Sequence, residues 1–310
     1  NQKAILEYQR IIEENNISCQ FTKCAAFLYS TEQEEPLHQE AQAASHLGIQ
    51  AEFTTDTELP FPVCGAVKFS HQARFHPLHF LQEVAKNITV YENTSVQKVQ
   101  DHTIITNRGT VTAEKIIFTT HYPFINMPGY FFARMHQERS YVLALENVPL
   151  LNDMYLGIDE DGLSFRSNEP YLLFGGGNHR TGENSAGGKY EILRQKAQQY
   201  WPKGKEVAYW SAQGCMPIDG IPYIGQFSAS TPNWYIATGF QKWGMTSSMV
   251  AAMILSDSVF GQENPFAATF SPQRFDISAS TVNLLKDSMQ AIKGLSKEIF
   301  AIPQTKIEEL

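Results

Sequence analysis

Hydrophobic positions recur at helical spacing near the start of the chain. Ile5, Leu6, Tyr8, Ile11 and Ile12 gather on one side, with Glu7, Glu13 and Glu14 opposite, which predicts a helix over residues 3–15. The run Ala25-Ala26-Phe27-Leu28-Tyr29 reads as a short buried strand. Thr31 with Glu34 three residues later makes a capping-box pattern, opening a second helix with Leu37, Ala41, Ala44 and Leu47 inside and Gly48 at its end. A strand is predicted over 65–69, and a helix over 77–86 with Pro77 in its first turn.

From Ile88 the period shortens to two. Strands are predicted over 89–91, 95–99, 102–105 and 111–113, with Asn107-Arg108-Gly109 as the hairpin turn between the last two. Residues 115–120 are apolar without alternation, as expected of a strand covered on both faces. Alternation over 138–145, 154–158, 163–166 and 171–174 predicts an antiparallel sheet, a helix over 190–200 crosses it, and 207–212 returns as a strand. A second doubly covered strand is predicted over 234–238, then Gly239 and a helix over 246–260. Residues 276–310 read as a polar helical tail or linker. Buried strands near 116 and 235 thus flank a long antiparallel region. The fold class expected is mixed α+β and α/β, with two domains threaded through one another.

Composition narrows the function classes. A chain of 310 residues that is 43% hydrophobic buries a substantial core. Its net charge of -8 comes with no Lys/Arg cluster, which excludes a nucleic-acid surface. The strongest apolar run, residues 249–255, is far too short to span a membrane, and the polar first residues do not resemble a signal peptide. A cytoplasmic location is the expectation. Cys19, Cys24, Cys64 and Cys215 form no Cys-x-x-Cys pair and have no His at metal-ligand spacing, so no metal site is expected and the thiols read as inert.

Three segments carry candidate chemistry. Residues 235–246 (Tyr-Ile-Ala-Thr-Gly-Phe-Gln-Lys-Trp-Gly-Met-Thr) read as a buried strand, a glycine turn and a helix start. Gly239 and Gly244 permit close backbone approach to a ligand, and the first helical amides, capped by Thr246 or Ser247, would favour negative charge on a bound group. An ordinary strand-turn-helix corner accounts for the same residues equally well. Residues 210–225 contain Asp219-Gly220-Ile221-Pro222-Tyr223-Ile224-Gly225, a turn by default. The third segment is 116–123, ending in Thr119-Thr120-His121.

In order and spacing these segments resemble the FAD-dependent oxidoreductase family that includes D-amino-acid oxidase, glycine oxidase and sarcosine oxidase. The Asp219-Gly220-x-Pro222-x-Ile224-Gly225 run is similar to that family's late flavin motif, and Thr238-Gly239-Phe240 to Gly244-Met245-Thr246 to its final flavin loop. Ala73-Arg74-Phe75-His76-Pro77 resembles the segment entering the cofactor domain, with Val96 where a strand approaches the adenosine end. Residues 137–141 and 173–182 resemble the bacterial branch that appends a Rieske iron–sulfur domain.

The resemblance implies an incomplete FAD-binding Rossmann-like domain (1–24, 70–120 and 212–275) interleaved with an antiparallel-sheet substrate domain (25–69 and 121–211). Its Gly-x-Gly-x-x-Gly turn and the Cys-His pairs of a Rieske centre do not occur in these residues, so the chain is expected to be a piece of a longer protein whose own retention of FAD is not implied. The cofactor contacts implied are Val96, Thr119, Thr120, Asp219, Gly220, Pro222, Ile224, Gly239, Phe240, Gly244, Met245 and Thr246. The activity implied is oxidation of an amine or amino acid by hydride transfer to flavin, giving an imine. A Rieske domain is the implied partner in the full-length chain. Where the family often places an Arg for the substrate carboxylate, this chain has Gln213-Gly214-Cys215-Met216, which points to an amine or a larger modified amine. Arg139, Arg166 and Arg180 are substitutes for that role, and His121, His71 and His76 are candidate acid/base groups. A nicotinamide dehydrogenase lacks its dinucleotide turn here. The other alternative is a cofactor-free ligand-binding or interaction module built on the same sheet.

Overall fold

A computed structural model describes residues 1–184 and 186–274; the expected tail over 276–310 lies outside the described residues. In chain order the first elements are α1 (Gln2–Glu14), β1 (Thr22–Ser30), α2 (Glu35–His46), β2 (Ala51–Thr54), β3 (Gly65–Arg74) and α3 (Pro77–Ala85). Short strands follow: β4 (Val96–Gln100), β5 (Thr103–Thr106), β6 (Gly109–Thr112) and β7 (Ile116–Phe118). Next come β8 (Met135–Glu146), β9 (Met154–Gly157), β10 (Ser164–Asn168), β11 (Tyr171–Arg180), α4 (Lys189–Tyr200) and β12 (Lys205–Pro217). The described chain closes with β13 (Tyr223–Ser228), β14 (Thr231–Thr238), α5 (Gly244–Val259) and α6 (Ala267–Phe270). The architecture is mixed α/β with several sheets, as expected.

The chain divides into two compact units. Among the described residues, unit 1 takes Asn1–Ser18, Pro77–Gln137 and 214–274; unit 2 takes Cys19–His76 and Glu138–Gln213. Its breaks at 18/19, 76/77, 137/138 and 213/214 differ from the anticipated ones, most at 121–137, which belong to unit 1 because Tyr122, Ile125, Phe131 and Met135 pack with Ile116 and Phe118.

Unit 2 is built on an eight-stranded sheet of order β12-β8-β11-β10-β9-β1-β3-β2. Alternate residues of β1, β8, β10 and β11 point into one core with Phe27, Tyr29, Tyr141, Leu143, Phe165, Leu172 and Phe174, which α4 covers with Leu193 and Ala197. The triple glycine is both a bulge and a close approach. Register shifts between Gly176 and His179, and a Cβ on Gly175 would lie 2.5 Å from Ser164 Oγ. The sheet is not wholly antiparallel, since β1 and β9 run parallel, Ala26 beside Met154. The capping box of Thr31 and Glu34 does not form. Asp159 takes the Thr31 amide and hydroxyl, and α2 starts later with no side-chain cap.

Unit 1 holds the sheets β13-β14-β7 and β4-β5-β6. β14 pairs antiparallel with β13 and parallel with β7, Trp234 beside Ile116. Residues 234–238 are buried throughout, as a doubly covered strand requires, but β7 is not: Ile116 and Phe118 are buried and Ile117 is 43% exposed. No strand forms over 89–91, and sequence reading missed β2 and β13. Among the described residues no helix is long and apolar enough to cross a membrane, no group of three or more His, Cys, Asp or Glu could hold a metal, and the four cysteines are free.

Candidate functional site

The site is a corner of unit 1 where β7 and β14 end side by side. Parallel strands finish at the same edge, and their C-terminal ends in such sheets are where ligands bind. β14 leaves through Gly239, at φ 76, a left-handed conformation that favours glycine. A Cβ there would lie 2.6 Å from Pro217 Cγ, so one side of this turn is tightly packed. Its other side opens on a cleft of about 650 Å³. The cleft is walled by Ile117, Thr119 and His121 from the β7 end, by Gly239 and Phe240, and by one face of α5.

Thr119, His121, Gly239 and Phe240 are the sequence-predicted residues that meet in this cleft. The α5 face was not anticipated, because the helix reads as plain core. Its signal was the small residues Ser248, Ala251, Ala252 and Ser256, whose spacing lines one helical face. The lining is mostly apolar and carries no Lys or Arg, so it offers a flat ring an apolar wall and a diphosphate no guanidinium or ammonium partner.

The start of α5 is a second feature of the same corner. Ser247 N–H donates to Trp243 O, but the amides of Gly244, Met245 and Thr246 find no backbone acceptor among the described residues. Trp243 occupies the cap position without a side-chain cap bond, so neither Thr246 nor Ser247 caps the helix; Thr246 Oγ1 donates instead to Trp243 O at 3.4 Å. A Cβ added to Gly244 would meet nothing within 4 Å. The carbonyl of Met245 is braced, accepting from Tyr8 Oη at 2.9 Å and Ser248 Oγ at 2.8 Å, and Tyr8 packs edge-on against Phe80. Burial raises the Tyr8 pKa, keeping that phenol a donor.

Around this corner the backbone is tied down. His121, at φ 63, offers its carbonyl to Thr238 Oγ1 and to Cys215 Sγ. Burial pushes the Cys215 thiol up to about 11, so it serves as a donor and not as a nucleophile at neutral pH. Gln241 N–H donates to Cys215 O at 3.0 Å and its Nε2 to Gly220 O at 2.8 Å.

The Asp219–Gly225 run is a clamped turn leading into β13. Asp219 Oδ1 accepts the Ile221 amide, and both carboxylate oxygens take Arg274, Nε to Oδ2 at 2.8 Å and Nη2 to Oδ1 at 3.0 Å. Arg274 Nη1 donates to Pro222 O, and its guanidinium lies 4.2 Å from the Tyr223 ring centroid. Ile224 is wholly buried in the core under α5. Asp219, Gly220, Pro222 and Ile224 do not line the cleft, and neither do Thr120, Gly244, Met245 and Thr246. Val96 is an exposed residue of β4. Of the other histidines, both in unit 2, His71 sits at φ 58 opposite the β1 bulge between Cys24 and Ala26, and His76 gives its amide to Cys19 O. Among the carboxylate candidates Arg139 bonds Ser211 Oγ and Arg180 faces Glu183.

The family model described as FAD dependent oxidoreductase (DAO) matches residues 1–258. The chain belongs to this family. Its solved relatives share the fold. A glycine oxidase from Geobacillus kaustophilus superposes with a TM-score of 0.74 at 19% identity, covering 89% of this chain and 82% of that one. An L-proline dehydrogenase from P. horikoshii gives 0.72 at 15% identity, covering 88% and 81%. In sequence the chain is 34% identical over 327 residues to YhfW of Bacillus subtilis (strain 168), whose name describes a Rieske 2Fe-2S iron-sulfur protein. The alignment takes in all of this chain and 64% of that relative, so the chain spans about two thirds of its length.

Proposed function

We propose that this chain supplies the ring-binding end of an FAD site in an amine or amino-acid oxidoreductase. One observation carries the reading: three amides at the start of α5 find no backbone acceptor among the described residues, beside a left-handed glycine turn that opens on an apolar cleft. Such amides suit the electron-rich edge of a heterocycle, and the braced Met245 carbonyl holds the first turn in place. Bound there, FAD would accept a hydride from the carbon bearing a neutral amine, leaving an imine for water to hydrolyse. The residues left to this chain are positioning ones: Gly239, Phe240 and Gly244 to Thr246 by backbone, Ile117 and the α5 face by excluding water. Asp219 holds its turn through Arg274 and contributes no free carboxylate. Gln213 is engaged with Thr181, and Cys215 is buried. The lack of an arginine over 213–216 favours an amine or a larger modified amine over a simple amino acid. The name of YhfW supports a Rieske domain, in the whole protein, as the route by which electrons leave.

The test uses the product of the complete reading frame that contains this chain. Purified, it is expected to be yellow, to release FAD on denaturation, and to bleach anaerobically with an amine substrate. Gly244→Val, whose Cβ would meet nothing within 4 Å, is expected to weaken flavin retention tenfold or more with the circular dichroism preserved. A colourless product that takes up no flavin overturns the reading.

A further inference from the structure

The sheet of unit 2 contains a notch that the flavin reading does not use. β9 has only four residues, and its register says where it begins: Met154 lies beside Ala26 of β1, and Tyr155 beside Phe165 of β10. Before Met154 the two neighbours run on without a strand between them, Thr22 to Ala25 on one side and Ser167-Asn168 on the other. A cavity of about 200 Å³ lies there, lined by Thr22, Arg74, Arg166, Ser167, Asn168 and Glu169 among others. Arg74 comes from β3, where its register partner is Thr22.

Two guanidinium groups therefore share one small notch. Arg74 is anchored through Nη1, which donates to the carbonyls of Leu151 and Asn152 at 3.2 and 3.1 Å. Among the described residues no carboxylate forms an ion pair with either arginine, and Arg166 has no hydrogen-bond partner. Asp153, the nearby acid, accepts from the Ala25 amide, and exposed Glu169 lines the notch without pairing. Burial lowers the Arg166 pKa first, and the like charge of Arg74 lowers it further. Two adjacent cations without a counterion cost free energy that an anion would relieve. Guanidinium forks grip the oxygens of carboxylate or phosphate, and the Asn168 amide adds a neutral donor, while the Thr22 hydroxyl already donates to the Gln20 carbonyl. At about 30 Å³ per water, the volume admits an anion of four or five heavy atoms with a few waters.

We propose that this notch binds a small oxyanion, a phosphate or a small carboxylate, between Arg74 and Arg166. The site lies in unit 2 and stands or falls apart from flavin binding. Inorganic phosphate titrated into the purified product of the complete reading frame, at ionic strength held constant with chloride, is read by melting temperature and by equilibrium dialysis. Saturable binding with a rise in melting temperature is expected. In R166M the affinity is expected to fall tenfold or more, while the anion-free melting temperature holds or rises as the repulsion is relieved. Should R166M not fold, R166K keeps the charge, loses the fork and serves the same comparison. A parallel titration with acetate separates the sources, since tighter phosphate assigns a phosphoryl group and tighter acetate a carboxylate. Absence of saturable binding of either anion, or a loss of less than tenfold in the variant, overturns the proposal.

Discussion

The side chain of Arg274 spends its donors on Asp219 and on the carbonyls of Ile221, Pro222, Phe270 and Ser271. The pair is largely buried, with 13% and 8% of the two side chains accessible. Removing one partner strands the other charge, so Arg274→Met is expected to cost about 3–5 kcal/mol in chemical denaturation. Asp219→Asn, which keeps an acceptor for the Ile221 amide, should cost less. His179 makes a second residue-scale prediction. Its Nδ1 faces the Arg180 carbonyl and so must donate, leaving Nε2 to accept from Tyr141 Oη. Burial chiefly, then the like charges of Lys189 and Arg139, hold its pKa below the usual 6.5. The unfolded chain therefore binds this proton more readily. Stability is fully present above about pH 6.5 and is lost as pH falls towards the folded pKa. Melting temperatures between pH 7.5 and pH 5 should show this fall, and His179→Gln should flatten it.

At the scale of elements, β7 has two unlike faces within three residues. Phe118 packs against Phe227 and Trp234, with centroids at 5.2 and 5.4 Å, whereas Ile117 looks into the cleft. Phe118→Ala is expected to destabilise by about 3–5 kcal/mol, and Ile117→Thr to stay within about 0.5 kcal/mol. Equal costs from denaturant midpoints would mean that Ile117 is packed. This strand also shows how far sequence reading reached. An apolar run without alternation correctly announced a strand, but composition cannot say whether one of its faces is left open. Periodic elements such as α1, α4 and β8 were legible because several side chains in each agree on one face, and β14 because its apolar run is unbroken. β13 was not, since its residues were absorbed into a glycine-proline motif read as a loop, and β2 is too short and polar to register. The failed capping box has a similar cause: Asp159, 128 residues away in sequence, outcompetes Glu34 for Thr31. Of the candidate site, the glycine corner and the β7 end were readable from order and spacing. The α5 wall was not, because small residues on a helix look alike whether they meet a cleft or a core.

For the molecule as a whole, membership of the FAD dependent oxidoreductase family rests on a match over residues 1–258, and the glycine oxidase superposition shows how much fold survives at 19% identity. Family and fold do not decide chemistry; a measurement of flavin content on the whole protein would. The interleaving of the two units has its own effect on biogenesis. As the nascent polypeptide leaves the ribosome, β7 emerges with Ile116 and Phe118 ready for burial, but its partner β14 has not been synthesised, and the whole of β8 to β12 must come first. Unit 1 thus closes only once β14 has emerged, leaving its apolar strand in need of chaperone shelter meanwhile.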